Sequence, residues 1–220
     1  MSEPPNIVHL IARLHADDTT EQEAAIEALV RLGPDAVDAL LMAVNDGDAL
    51  MCTNAIEALG QIRDPRALGP IIVALQDTDE GVIIAAMNAL RRMGDPLAVQ
   101  PLITFLSHDD LYLHFNATLA LGHIRHRETA DALLDVLDSD DPNVRHGSAV
   151  ALGRLGDRRA VEPIIRLLDD SESKVRYSAV YALGDLGDAR AIAPLRNMLG
   201  DPDYNVVNAA REAIDKLTLA

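Results

Sequence analysis

Residues 141–170 read DPNVRHGSAVALGRLGDRRAVEPIIRLLDD, and residues 173–199 repeat the pattern as SKVRYSAVYALGDLGDARAIAPLRNML. In the first stretch Val144, Ser148, Ala151, Leu152 and Leu155 sit at offsets −8, −4, −1, 0 and +3 from Leu152. That is a stripe of period 3.6 with one small polar member, the mark of an amphipathic helix. Gly156 follows at +4, where a left-handed residue ends a helix without steric cost. Asp157 at +5 is placed to cap the next helix, and Pro163 at +11 falls in that helix's first turn, where a missing N–H does no harm. Ile164, Ile165 and Leu168 carry the second helix to an Asp-rich turn. Outward from here the same anchor recurs at Leu29, Leu59, Leu90, Leu121, Leu152, Leu183 and Ile214, with spacings of 30, 31, 31, 31, 31 and 31. Gly33, Gly94 and Gly187 repeat Gly156; Asp64, Asp95 and Asp188 repeat Asp157; Pro70, Pro101 and Pro194 repeat Pro163. One helix pair cannot bury its own stripe, but stacked neighbours can. Thr20 with Glu23 is expected to form a capping box for the first repeat.

Composition narrows the function. The 220 residues are 49% apolar and 25% charged, enough to build a core. With 19 basic and 35 acidic residues the net charge is −16, which disfavours a nucleic-acid partner held by many phosphate contacts. Only Lys174 and Lys216 among the cations are lysines. The lone Cys52 excludes an internal disulfide and a Cys-based metal knuckle, and a reducing, cytoplasmic location is expected. Met1 to His15 has no signal-peptide pattern, and no apolar run reaches membrane-spanning length, so no membrane partner is expected. No phosphate loop, nucleophile elbow, zinc-protease motif or dinucleotide fingerprint occurs, and no catalytic residue is assigned.

Function is therefore sought where residues escape the repeat's own demands. Offsets −9, −6, −5, −2 and +2 of each first helix lie off the buried stripe. In the first two repeats they are mainly polar, with Glu23, Glu27, Arg31, Thr53, Asn54, Glu57 and Gln61 among them. The third repeat brings Ile84, Asn88 and Arg92, and the fourth Tyr112, Phe115, Asn116, Leu119 and His123. His146, Val150 and Arg154 follow, then Lys174, Tyr177, Tyr181 and Asp185. Of the chain's six aromatic residues, about one should fall on five positions of a 31-residue unit, yet four do: Tyr112, Phe115, Tyr177 and Tyr181. Ile84, Phe115, His146 and Tyr177 share offset −6, at roughly 10 Å from helix to helix. Two readings of this face stand: a binding groove, or side chains filling the inner wall of a tightly curled stack.

The stretches 141–170 and 173–199 resemble the HEAT-like repeats first described in phycobilisome bilin lyases, and the resemblance spans about 200 residues. It implies an all-α fold, a right-handed α-solenoid of HEAT-like helix pairs with a period of about 31 residues and roughly 14 helices. The expected organisation is one domain over 1–220, with a cap helix over 5–16 and repeats from about 18 to 217. In proteins of this class the off-stripe face lines a concave groove. The leading expectation is a non-catalytic scaffold holding another protein in that groove, with no cofactor. The alternative implied by the resemblance is a bilin lyase or bilin-handling protein. There Tyr112, Phe115, Tyr177 and Tyr181 stack on the tetrapyrrole, Arg92 or Arg154 pairs with its propionates, and Asp185 or His146 contacts pyrrole nitrogens. The partners are then a phycobiliprotein or a second lyase-like subunit. Deoxyhypusine hydroxylases share the repeat and hold iron with His-Glu pairs at −6 and −5. Here only His146 matches, followed by Gly147, so no metal ligand is assigned and this reading is disfavoured. His123 and His146 are expected as groove donors and His126 as a substitute for the turn aspartate. Arg145 and Arg176 are expected to pair with turn aspartates such as Asp141 or Asp157.

Overall fold

The computed structural model describes residues 6–219, and every regular element among them is helical. A short helix α1, Ile7–Ala12, continues as a 3-10 turn through His15. This is the expected cap helix, except that residue 5 lies outside the described residues, as do the first five residues of the segment inspected for a signal peptide. The first helices of the repeats are α2 (Thr19–Leu32), α4 (Ala49–Ile62), α6 (Glu80–Met93), α8 (Leu111–Leu121), α10 (Pro142–Leu155), α12 (Ser173–Leu186) and α14 (Tyr204–Leu219). Between them run the shorter α3 (Val37–Asp46), α5 (Leu68–Ala74), α7 (Val99–Ile103), α9 (Arg127–Asp135), α11 (Val161–Arg166) and α13 (Ile192–Asn197). Among the described residues no helix is long and apolar enough to cross a membrane.

Where the period suggests one domain over 1–220, contacts gather in two compact units, residues 1–101 and 102–220, with the boundary inside α7. In the first unit Asp18, Asp48 and Asp79 cap α2, α4 and α6. Asp18 accepts from the Thr20 N–H at 2.8 Å, so the cap lies two residues before the expected Thr20 box. Asn54, expected on the open face, is buried, and its Nδ2 donates to Leu14 O at 2.6 Å. In this repeat offset −5 thus faces a neighbouring element rather than solvent. The anchors Leu29, Leu59 and Leu90 are fully buried, each contributing about 2 kcal/mol of apolar burial.

In the second unit α10 and α12 pack most closely. A Cβ added to Gly153 would lie 2.8 Å from Ala182 Cα, so the two backbones approach where neither residue carries bulk. Gly156 and Gly187 end these helices at φ 74° and 66°, the left-handed conformation that their offset demands. Arg145 and Arg176 do pair with turn aspartates, but with Asp170 and Asp201. Asp141 and Asp157 are already engaged, the first by the α10 N-terminus and the second by Arg159. Each ladder arginine forms a two-pronged contact with its carboxylate, at 2.7 and 2.9 Å for Arg145 and 2.7 and 3.0 Å for Arg176. Each also donates to two backbone carbonyls of the turn before its own helix, which staples consecutive turns together. The expected capping role of His126 fails: its side chain makes no cap hydrogen bond to α9, and its Nδ1 lies 3.9 Å from the Glu128 carboxylate instead.

Candidate functional site

Offsets −6, −2 and +2 are four residues apart, so on one helix they form a single ridge. On α8, α10 and α12 these ridges border a cleft of about 200 Å³ containing Phe115 and Leu119, then His146, Val150 and Arg154, then Tyr177 and Tyr181. The rings are not packed away: Phe115 is 53% exposed, Tyr177 41% and Tyr181 45%. Side chains filling an inner wall would be buried, and these are not.

The back of the cleft is a histidine pair. His114 and His146 stack with centroids 5.7 Å apart and planes 24° from parallel. His114 Nδ1 lies 2.9 Å from Leu106 O and His146 Nδ1 3.3 Å from Lys174 O. A carbonyl oxygen only accepts, so both rings carry a proton on Nδ1. Burial holds both below the ordinary imidazole value, and the nearby Lys174 charge acts in the same direction. Gly147 makes room for the stack, since a Cβ there would sit 2.9 Å from Leu106 Cδ2 and 3.2 Å from His114 Cε1. Glycine after His146 thus has a steric cause. Thr118 and Ser178 also line the cleft, with hydroxyls turned back onto the His114 and Val175 carbonyls of their own helices.

His114, Thr118 and Ser178 were not candidates from sequence. His114 occupies offset −7, where the next two repeats carry Arg145 and Arg176. That break in phase was the available signal. Conversely, several candidates stand apart from the cleft. Tyr112 projects into solvent, Asn116 donates to Tyr112 O of its own helix at 2.8 Å, and exposed His123 folds back onto Leu119 O, also at 2.8 Å. Asp185 lines a second opening of about 260 Å³ on the far side of Tyr177 and Tyr181, bordered also by Asn208, Glu212 and Lys216. Its carboxylate is taken by Lys216 at 2.7 Å. Ile84, Asn88 and Arg92 belong to the first unit. There Asn88 and Arg92 border a recess of about 170 Å³ with Glu57, which lies 3.8 Å from Arg92, while Ile84 is half-buried outside it. Among the described residues no three His, Cys, Asp or Glu side chains converge as a metal site would require. Cys52 is buried, donates to Val44 O at 3.4 Å, and has its thiol pushed up by burial.

This arrangement of helices occurs in known structures of low sequence identity. Importin beta is 15% identical over 97% of this chain and 35% of its own, with a TM-score of 0.68. The E. coli protein YibA is 19% identical over 98% of this chain and 93% of its own, with a TM-score of 0.52. The CpcE–CpcF complex of phycocyanin lyase from Nostoc sp. PCC7120 is 21% identical over 98% of this chain and 96% of that chain, with a TM-score of 0.49. At these identities the likeness to importin beta and YibA concerns the fold alone. No curated protein matches the chain. HEAT repeats match over residues 7–72, 54–122, 70–143, 99–168 and 130–215, and the chain belongs to the HEAT repeat family.

Proposed function

We propose that this protein is a non-catalytic scaffold of the cytoplasm, and that a helix or loop of a partner protein docks on the face made by α8, α10 and α12. One observation carries this reading: Phe115, Tyr177 and Tyr181, half of the chain's aromatic residues, stand exposed around one cleft with Leu119 and Val150. Aromatic rings offer large contact area at small rotamer cost, and exposed rings beside aliphatic side chains suit the centre of an interface. The charge of −16 supports a protein partner over a nucleic acid. Replacing Phe115, Tyr177 and Tyr181 together with Ala tests it. The variant should lose capture of the native partner while melting near the wild-type temperature. A drop of several degrees accompanying the loss would assign the rings to packing instead, because truncating a buried aromatic costs about 3–5 kcal/mol.

A second reading is favoured by the presence of flat rings and Arg154 in the same cleft, a combination that also suits a tetrapyrrole with carboxylate side chains. In that case the chain would be a bilin-handling protein of the phycobilisome-lyase type, with a phycobiliprotein or a second lyase-like subunit as partner. Mixing it with phycocyanobilin and an apo-phycobiliprotein separates the two. The scaffold reading expects no acceleration of covalent, spectrally native adduct formation, and a rate gain lost in Tyr177→Ala would overturn it.

A further inference from the structure

Arg154 is the anomaly of the cleft. Among the described residues it makes no hydrogen bond and no ion pair, and its Nε is closed to solvent with no acceptor. The residue as a whole is only half-buried, so the side chain is not sealed off from an incoming group. The ladder arginines of the same unit each hold a carboxylate and two carbonyls, so the contrast does not come from a shortage of acid in this chain. Two local features keep Arg154 unpaired. Asp185, one repeat along at the same offset, is engaged by Lys216 at 2.7 Å. The arginine stem also lies against α8 at Gly122, where a Cβ would come within 3.0 Å of Arg154 Cβ and Cδ. Around it are Leu119, Val150, Tyr177 and Tyr181, none of which offers a charge. His146 supplies none either, since burial keeps it neutral near pH 7. Lys174, whose Nζ is held by Asn143 Oδ1 at 2.7 Å, adds a second positive group beside the histidines.

A partly desolvated guanidinium without an anion is costly, and a carboxylate brought to it in an apolar setting forms a short, charge-assisted pair. Building on the docking reading above, we infer that Arg154 receives a carboxylate of the docked segment, so that the occupant of the cleft is an acidic stretch of a partner protein: one Asp or Glu flanked by bulky apolar residues. The flanking side chains lie on Phe115 and Leu119 to one side and on Tyr177 and Tyr181 to the other. The carboxylate meets the Nη groups between them. Charge complementarity selects this occupant, because the cleft presents its cation unpaired while the rest of the chain is strongly acidic and would repel an acidic segment elsewhere.

An array of terminally blocked peptides, each with Glu between Leu or Phe positions, tests the inference, with matched arrays carrying Gln or Lys in place of Glu. The full chain should bind the best Glu peptides at least tenfold more tightly than their Gln counterparts and should not retain the Lys ones. Arg154→Gln should erase the difference between Glu and Gln without shifting the melting temperature, whereas Tyr177→Ala should weaken both series together. Equal affinity for Glu and Gln, with Tyr177→Ala still weakening both, would overturn the carboxylate inference and leave the docking face standing. Absence of binding by any array peptide would overturn the inference as well; the docking reading then stands or falls on capture of the native partner by the triple-alanine variant. Binding of phycocyanobilin in place of every peptide would assign Arg154 to a small-molecule carboxylate. Self-association that Arg154→Gln abolishes in sedimentation would assign it to a second copy of this chain.

Discussion

Repeat four, α8 with α9, and repeats five and six, α10 to α13, are built from the same pattern, yet they are held together by different means. Repeats five and six have the full set: left-handed glycines at 156 and 187, aspartate caps at 157 and 188, and the Arg145 and Arg176 ladder. Repeat four has none of these. Its first helix ends early, at Leu121, and Gly122 has ordinary right-handed backbone angles. The residue before α9 is His126, which does not cap. Offset −7 carries His114, and Thr129 Oγ1 on α9 is buried with no partner. The lesson is that the part of the unit that departs from the repeat's stabilising rules also forms one wall of the cleft. His114 stacks on His146, and Gly122 leaves space for Arg154. Local inconsistency of this kind is expected where a surface serves something other than its own fold.

The largest effect should come from the ladder. Arg176 is 12% exposed and Asp201 3%, so Arg176→Ala strands a carboxylate away from water and should cost about 3 kcal/mol in denaturant unfolding of the intact chain. Arg159→Ala removes exposed contacts to Asp131 and Asp157 and should leave the midpoint essentially unmoved. Equal losses from both substitutions would break the distinction between a stapled turn and a surface pair. Next in size is the helix approach: Gly153→Ala forces a methyl against the Ala182 backbone and should cost about 1–3 kcal/mol, whereas Gly122→Ala meets Arg154 Cβ and Cδ at 3.0 Å and Thr118 O at 3.4 Å and should cost less.

Acid should separate the regions on the pH axis. His114 and His146 are held below the ordinary value of 6.5 by burial. Between that value and their lower folded values the unfolded chain binds more protons than the folded one. Stability should therefore fall as pH drops below about 6.5, and the decline should shrink in His114→Gln. Asp201 is held below its ordinary 3.8 chiefly by the Arg176 hydrogen bonds, so the ladder's contribution persists through that range. It is lost only as pH falls further, through the lowered carboxylate value. Thermal melts from pH 7.5 to 3 check both. The smallest effects are gains. Thr129→Val replaces an unsatisfied buried hydroxyl with a methyl and should add about 1 kcal/mol, and His126→Asp restores a cap and should add about 0.5–1 kcal/mol. A loss in either case would mean that repeat four is already optimised as it stands.

Much of the fold was legible because its determinants are local. Leu152 with Val144 and Ala151, Gly156, Asp157 and Pro163 each act within a few residues of themselves, and their recurrence locates the helices from Thr19 onward. The site was legible only in part. Phe115, His146 and Tyr177, their −2 neighbours Leu119, Val150 and Tyr181, and Arg154 at +2 do meet around one cleft, since a fixed offset on stacked helices maps onto a fixed height. Tyr112, Asn116 and His123 do not join them, because a polar or terminal position can satisfy itself on its own helix at no cost.

What the sequence by itself determined is the period of 31, the helix pairs with their caps, and the face on which aromatic residues collect. Only the tertiary structure decided which charges were already spent. Asp185 could have reached toward Arg154 or toward Lys216, both one repeat away at the same offset, and it is bound to Lys216. Likewise His114, one residue off the exposed ridge in sequence, turns inward to meet His146 because Gly147 leaves the volume free. Periodicity fixes where side chains start; packing between helices fixes which partner each one reaches, since that depends on distances between residues about 31 positions apart that no local pattern encodes.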